Sequence, residues 1–269
     1  MTSASPQAAI ASERADLDLL VEASLAAGRE AMKFFRNDVQ IWWKNEGTSP
    51  VTAADHAAND ILEAQLRGAR PDYGWLSEET EDSPERLDAR RVFIIDPIDG
   101  TRAFMTGKET WVVSAAITEA GRTVAGVLFA PALDELYVAT WDGFVEKNGK
   151  PLSLVATDAP IRISGADDSV QSLRLPAHRQ LERIGRIPSL AYRLAMIADG
   201  RLDVTIVKPH AHDWDLAAAH LILANAGGRL SDRDNVEPVY NLPMPRHGTL
   251  LASRADLHDL LIAAMPPIG

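Results

Sequence analysis

Residues 91–101 read RVFIIDPIDGT, from Arg91 to Thr101. Val92, Phe93, Ile94 and Ile95 form a short apolar run with the β-branched and aromatic bias of a buried strand. The run stops abruptly at Asp96-Pro97-Ile98-Asp99-Gly100-Thr101. Two carboxylates three residues apart at the end of a buried strand repel each other, and burial raises that cost. A hard divalent cation such as Mg²⁺ removes both problems, because it prefers carboxylate and then carbonyl oxygens. Pro97 stiffens the turn, and Gly100 lets the backbone take angles that other residues avoid. The plainer alternative is an Asp-rich turn whose side chains cap a helix.

On the N-terminal side, residues 1–13 suggest a loose tail. Leu17, Leu20, Val21, Ala27, Ala31 and Phe34 recur at helical spacing and predict an amphipathic helix from Asp16 to Phe35. Ile41, Trp42 and Trp43 suit a short strand, and Lys44 to Pro50 a turn-rich segment. Thr52 offers an N-cap for a second helix that reaches Leu66. Gly74-Trp75-Leu76 leads into Ser77-Glu78-Glu79-Thr80, and most of the acidic run through Glu85 suits a solvated loop.

On the C-terminal side, strands are expected over Trp111–Ile117, Thr123–Phe129, Leu136–Thr140 and Gly143–Glu146, and Lys147-Asn148-Gly149-Lys150 carries a hairpin signal. Around residues 152–165 the chain passes to a second half. There the pattern predicts a helix from Ser189 to Asp199 ended by Gly200, a strand over Asp203–Val207 and a helix over Trp214–Ala226. A last helix, Arg254 to Met265, follows a capping box at Ser253–Asp256. This mixed order implies a layered α+β fold rather than a doubly wound one.

Composition narrows the function classes. The chain has 269 residues, of which 46% are hydrophobic and 24% charged, enough for one large domain or two intimate subdomains. A net charge of −11 argues against coating a nucleic-acid polymer, which needs clustered Lys and Arg. It leaves room for a small anionic substrate, because bound metal ions supply local positive charge. With no cysteine, disulfides, thiol nucleophiles and Cys-ligated metal sites are excluded. No apolar run approaches the roughly 18 residues of a membrane-spanning helix. The opening MTSASPQAAIAS lacks the pattern of a secretory signal, so a cytoplasmic enzyme is the default. The chain carries no G-x-G-x-x-G, no P-loop and no G-x-S-x-G elbow.

What remains is a set of acids at the edges of regular elements: Asp55, Glu78, Asp96, Asp99 and Asp215. Asp213, just ahead of its helix, suits a cap. Four ordered blocks now become recognisable: Ser49-Pro50-Val51-Thr52-Ala53-Ala54-Asp55, Ser77-Glu78-Glu79, Asp96 to Thr101, and Trp214-Asp215 followed by Leu-Ala-Ala-Ala. Together they resemble the inositol monophosphatase superfamily of Mg²⁺-dependent, Li⁺-sensitive phosphomonoesterases, over about residues 16–262.

The resemblance implies a layered αβαβα sandwich, with residues 14–155 carrying most metal ligands and residues 156–269 the Trp-Asp motif and the substrate side. It implies two or three Mg²⁺ ions. Glu78, Asp96 and the Ile98 carbonyl would bind the first, Asp96, Asp99 and Asp215 the second, and a third, weaker ion would share Glu78. Thr101 with Asp55 would orient and deprotonate the attacking water, and Glu79 would support Glu78. Backbone N–H groups at Gly100 and Thr101 would hold a phosphate oxygen if a helix begins there.

Substrate choice is less legible. Inositol-selective relatives place an acid seven positions before the Trp-Asp aspartate, where this chain has Lys208. Lysine cannot accept a hydroxyl hydrogen bond but attracts a second anion. Arg193 also matches a basic position of the bisphosphate nucleotidase branch, which points to 3′-phosphoadenosine 5′-phosphate. The alternatives are inositol 1-phosphate and, from the Thr101–Gly107 continuation, histidinol phosphate. His210, His212 and His220 suit satisfied core hydrogen bonds, and the six tryptophans suit packing. A homodimer is the default assembly, with no membrane partner. A binding or scaffold protein on the same fold is the non-enzymatic alternative, although converging carboxylates would give a scaffold nothing.

Overall fold

The structure is a computed structural model that describes residues 6–37, 41–44, 49–165, 170–171 and 173–265. The first helix, α1 (Pro6–Met32), begins well before the expected Asp16. Proline is tolerated in a first turn because the N–H it lacks would have no helical partner there. Residues 6–13 are therefore helical and not a tail. A hairpin of β1 (Ile41–Lys44) and β2 (Ser49–Thr52) follows, and the turn-rich residues 45–48 lie outside the described residues. Next comes α2 (Ala53–Ala69), opened by Thr52.

Seven strands then form one sheet in sequence order. They are β3 (Gly74–Ser77), β4 (Arg91–Asp99), β5 (Val112–Glu119), β6 (Arg122–Ala130), β7 (Glu135–Thr140), β8 (Val145–Lys147) and β9 (Lys150–Pro151). Only the β3–β4 pair is parallel. The one-turn helix α3 (Thr101–Met105) follows β4. At the β8–β9 turn Asn148 and Gly149 have φ of 48° and 71°, the two positive angles that the Asn-Gly signal promised.

The second sheet has five strands in the order β11-β10-β12-β14-β13. These are β10 (Ile161–Ile163), β11 (Leu181–Arg183), β12 (Val204–Val207), β13 (Gly228–Ser231) and β14 (Leu250–Arg254). Interleaved with them are α4 (Leu190–Ala198), α5 (Asp213–Ala226) and α6 (Ala255–Ala264). Helices α1 and α2 cover one face of the large sheet, α4 and α5 pack between the two sheets, and α6 backs the small sheet. This is the layered αβαβα sandwich. Strand β4 shows why its sequence is continuously apolar: Phe93 and Ile95 enter the core under α1 and α2, whereas Val92 and Ile94 enter the core shared with α4 and α5. Strand β6 approaches α5 so closely that a Cβ on Gly126 would sit 3.0 Å from Ala218 Cα.

Two capping expectations fail. Ser253 does not cap α6; its hydroxyl bonds the Arg254 carbonyl and the His258 ring, and Asp256 pairs with Arg254. Asp213 is the first residue of α5, buried, and its carboxylate accepts from Asn241 N and meets His247 Nε2, both at 2.7 Å. The carboxylate that bonds back across the start of α5 is Asp215, which accepts from His212 N at 2.7 Å.

Candidate active site

The site forms where β4 ends. Between Asp96 and Asp99 the pairing with β5 slips: Asp96 opposes Ser114 and Asp99 opposes Val112. Three steps on β4 thus match two on β5. In a regular strand, residues three apart point to opposite faces. The extra residue in this bulge brings Asp96 and Asp99 to one side. Asp215, in the first turn of α5, completes the group, and ligand atoms of Asp96, Asp99 and Asp215 lie within 4.8 Å of one another.

These carboxylates pay heavily for proximity. Burial raises the pKa of Asp96 well above its ordinary value, and the charges of Glu78, Asp99, Asp215 and Asp55 raise it further. Asp215 is pushed up to about 7, by burial first and then by Asp99. Asp99 is also raised by burial, against hydrogen bonds from Ser189 and the α4 N-terminus that pull it down. All donors here are oxygens, the set a hard cation prefers.

The other expected residues surround this group. Glu78 is not in the tight trio but is the strongest of the charges acting on Asp96. Ile98 keeps its amide on Asp96 Oδ1 at 3.0 Å, and its carbonyl accepts from the Thr101 hydroxyl at 3.2 Å. Thr101 Oγ1 also lies 3.3 Å from Asp55 Oδ1. Asp55 Oδ2 accepts from the Thr52 amide and hydroxyl, at 2.7 and 2.6 Å, so the α2 cap fixes the carboxylate. Burial raises the Asp55 pKa to about 6, against the Thr52 hydrogen bonds, and Glu79 adds to the rise. Gly100, at φ 99°, precedes α3, so a helix does begin where a phosphate oxygen was expected.

A cleft of about 410 Å³ opens beside Asp99 and Asp215. Arg193 and Lys208 both line it, and so do Arg102 and Arg186, which the sequence did not single out. Arg193 donates to Thr205 Oγ1 at 2.8 Å, and burial lowers its pKa while Asp99 and Asp215 oppose the fall. His210 lines the cleft too. His212 stacks on Trp214 with centroids 4.3 Å apart, and His220 bonds Tyr240 at 2.9 Å, so those two rings are satisfied by packing and hydrogen bonding. Trp111 packs in the core, as expected, whereas Trp141 is 59% exposed.

Residues 13–268 match the profile of the inositol monophosphatase family. The chain belongs to the inositol monophosphatase family. Inositol-1-monophosphatase of Mesorhizobium japonicum is 30% identical over 261 residues, 93% of this chain and 95% of that one. Histidinol-phosphatase of Chlorobaculum parvum is 32% identical and covers 79% of this chain and 84% of its own. The 3′(2′),5′-bisphosphate nucleotidase CysQ of Buchnera aphidicola is 28% identical, with 80% and 83% covered. Among solved structures, the extragenic suppressor protein suhB of Bartonella henselae superposes with a TM-score of 0.79 at 26% identity, over 94% of this chain and 99% of that one. Members of the inositol monophosphatase family are phosphoric monoester hydrolases, and this protein is a phosphatase of that family.

Proposed function

We propose that this phosphatase is Mg²⁺-dependent and acts on a small phosphate ester that carries a second anionic group, with 3′-phosphoadenosine 5′-phosphate as the first substrate. The observation that carries the metal is the convergence of Asp96, Asp99 and Asp215 within 4.8 Å. Glu78, Asp96 and the Ile98 carbonyl would hold one ion, Asp96, Asp99 and Asp215 a second, and Glu78 would share a weaker third. Bound Mg²⁺ supplies positive charge against the phosphate oxygens and lowers the pKa of water. Sensitivity to Li⁺, a homodimer and a cytoplasmic location extend the same proposal.

The protein's own groups handle the proton. The Thr101 hydroxyl, placed between Asp55 and the Ile98 carbonyl, orients a water and passes its proton to Asp55. Asp55 is suited to this because a base should titrate near the working pH. Its pKa of about 6 leaves it ionised at neutral pH yet able to accept a proton. Glu79 keeps it basic. The amides of Gly100 and Thr101 hold a phosphate oxygen. The expected pH profile of kcat/KM is level above pH 7 and falls about tenfold per unit below Asp55's pKa. A profile that stays level from pH 5 to pH 8 would contradict the role of Asp55.

The second anion follows from the charges around the cleft. Among the described residues, Arg102, Arg186, Arg193 and Lys208 line it, and the acids lining it there are Asp99 and Asp215, which the metal would claim. At position 208 a polyol hydroxyl meets a lysine, which cannot accept its hydrogen bond, and the cationic groups of histidinol phosphate would be repelled by the arginines. The experiment compares 3′-phosphoadenosine 5′-phosphate, inositol 1-phosphate, fructose 1,6-bisphosphate and histidinol phosphate at fixed Mg²⁺, for wild type and Lys208→Glu. The bisphosphates should lead in wild type. Lys208→Glu should cost them about tenfold in kcat/KM and the monophosphates less than about threefold. Equal losses for all four would remove the case for a second anion.

A further inference from the structure

In each clustered carboxylate, protein hydrogen bonds from the described residues fix one oxygen. Asp96 Oδ1 accepts from the Ile98 amide at 3.0 Å and Asp215 Oδ2 from the His212 amide at 2.7 Å, both main-chain neighbours in sequence. Asp99 is different. Its Oδ2 accepts from the Ser189 hydroxyl and the Ala191 amide, each at 2.6 Å and from a part of the chain some 90 residues away.

Ser189 is fully buried and sits where the second half of the chain meets the end of β4. Its hydroxyl also accepts the Tyr192 amide at 3.0 Å, which caps α4. An amide can only donate, so the hydroxyl's own proton is left for Asp99. The Ser189 carbonyl accepts from Arg193 Nε at 3.4 Å. The Ser189 Cβ lies 3.0 Å from where a Cβ on Gly100 would stand, so the backbone beyond Asp99 is pressed against it. One residue therefore touches a cluster carboxylate, the turn that follows it and an arginine of the cleft.

The geometry points to Ser189 as the positioning residue that holds Asp99 in place for its cation. This rests on the metal assignment of the cluster. Asp99 faces the like charges of Asp96 and Asp215, and repulsion favours turning it away. The Ser189 and Ala191 bonds oppose that turn. Both reach Oδ2, so the protein fixes that oxygen. Partners that orient a ligand in this way are worth about 10–100-fold in metal affinity.

The test titrates Mn²⁺ alone into the metal-stripped full-length protein and follows free Mn²⁺ by EPR. Ser189→Ala removes both the hydroxyl and the helix cap. Ser189→Gly removes the hydroxyl, but glycine is tolerated at an N-cap, so the helix is nearly spared. Ser189→Thr keeps the hydroxyl. The expected result is one class of Mn²⁺ site weakened about 10–100-fold in Ser189→Ala and Ser189→Gly, with Ser189→Thr within about threefold of wild type. Wild-type binding by both hydroxyl-free variants overturns the proposal. So does weakening in Ser189→Ala but not in Ser189→Gly, which would make the residue a helix cap and no more. Absence of Mn²⁺ binding by the wild-type protein would instead sink the metal assignment beneath it.

Discussion

Asp96→Asn is expected to lose about 10²–10⁴ in turnover, or ~3–5 kcal/mol of transition-state stabilisation, while melting at a higher temperature than wild type in EDTA at pH 8. Both effects come from one charge. Asp96 is 1% exposed, and burial together with Glu78, Asp99 and Asp215 makes its ionised form costly in the metal-free protein. Asparagine keeps the shape and an oxygen for the Ile98 amide, which Asp96 Oδ1 now accepts. It removes the charge that two cations would share. The stability gain should shrink as pH falls, because wild-type Asp96 then protonates and loses the same charge. Asp215→Asn should behave alike, since its hydrogen bond from His212 also survives the change. Phosphate-release assays and calorimetry in EDTA read the two halves separately. Wild-type turnover would refute the metal assignment, and a destabilised metal-free variant would refute the charge account.

Removing the metal is expected to abolish hydrolysis and to lower Tm by more at pH 8 than at pH 5.5. The sign follows from the cluster's pKa values. Asp215 lies at about 7 in the fold against an ordinary 3.8, and Asp96 and Asp99 are raised as well. The metal-free fold therefore holds protons that the unfolded chain has released. That contribution to stability is fully present below the unfolded pKa of 3.8 and is lost as pH rises through about 7. At pH 5.5 a divalent ion must displace those protons, so it adds little; at pH 8 it meets bare carboxylates and adds most. Calorimetry with Mg²⁺ and with EDTA at the two pH values measures the difference directly. A larger Mg²⁺ effect at pH 5.5 would contradict the argument.

Local signals in the sequence were the readable ones. Thr52 caps α2, and Asn148-Gly149 turns the hairpin, because each acts on backbone within a few residues. The four-residue run before Asp96 signalled a buried strand, and β4 is buried along its whole length. Contacts closed over long separations were not readable. The bulge that turns Asp96 and Asp99 to one side depends on β5. The partner of Asp99, Ser189, could be placed at the start of a helix but not beside β4. Arg186 carried no local pattern, yet it reaches the cleft with Arg193. The Ser253–Asp256 capping box failed for the opposite reason: its local signal was present, but Arg254 and His258 took the partners. The short strands β10, β11 and β13 have too few residues to show a period.

The most direct measurement is anomalous diffraction at the manganese edge from crystals of the wild-type protein grown with Mn²⁺. The account predicts at least one anomalous peak in contact with Asp96, Asp99 and Asp215 together. A cluster without such a peak at saturating Mn²⁺ would contradict it.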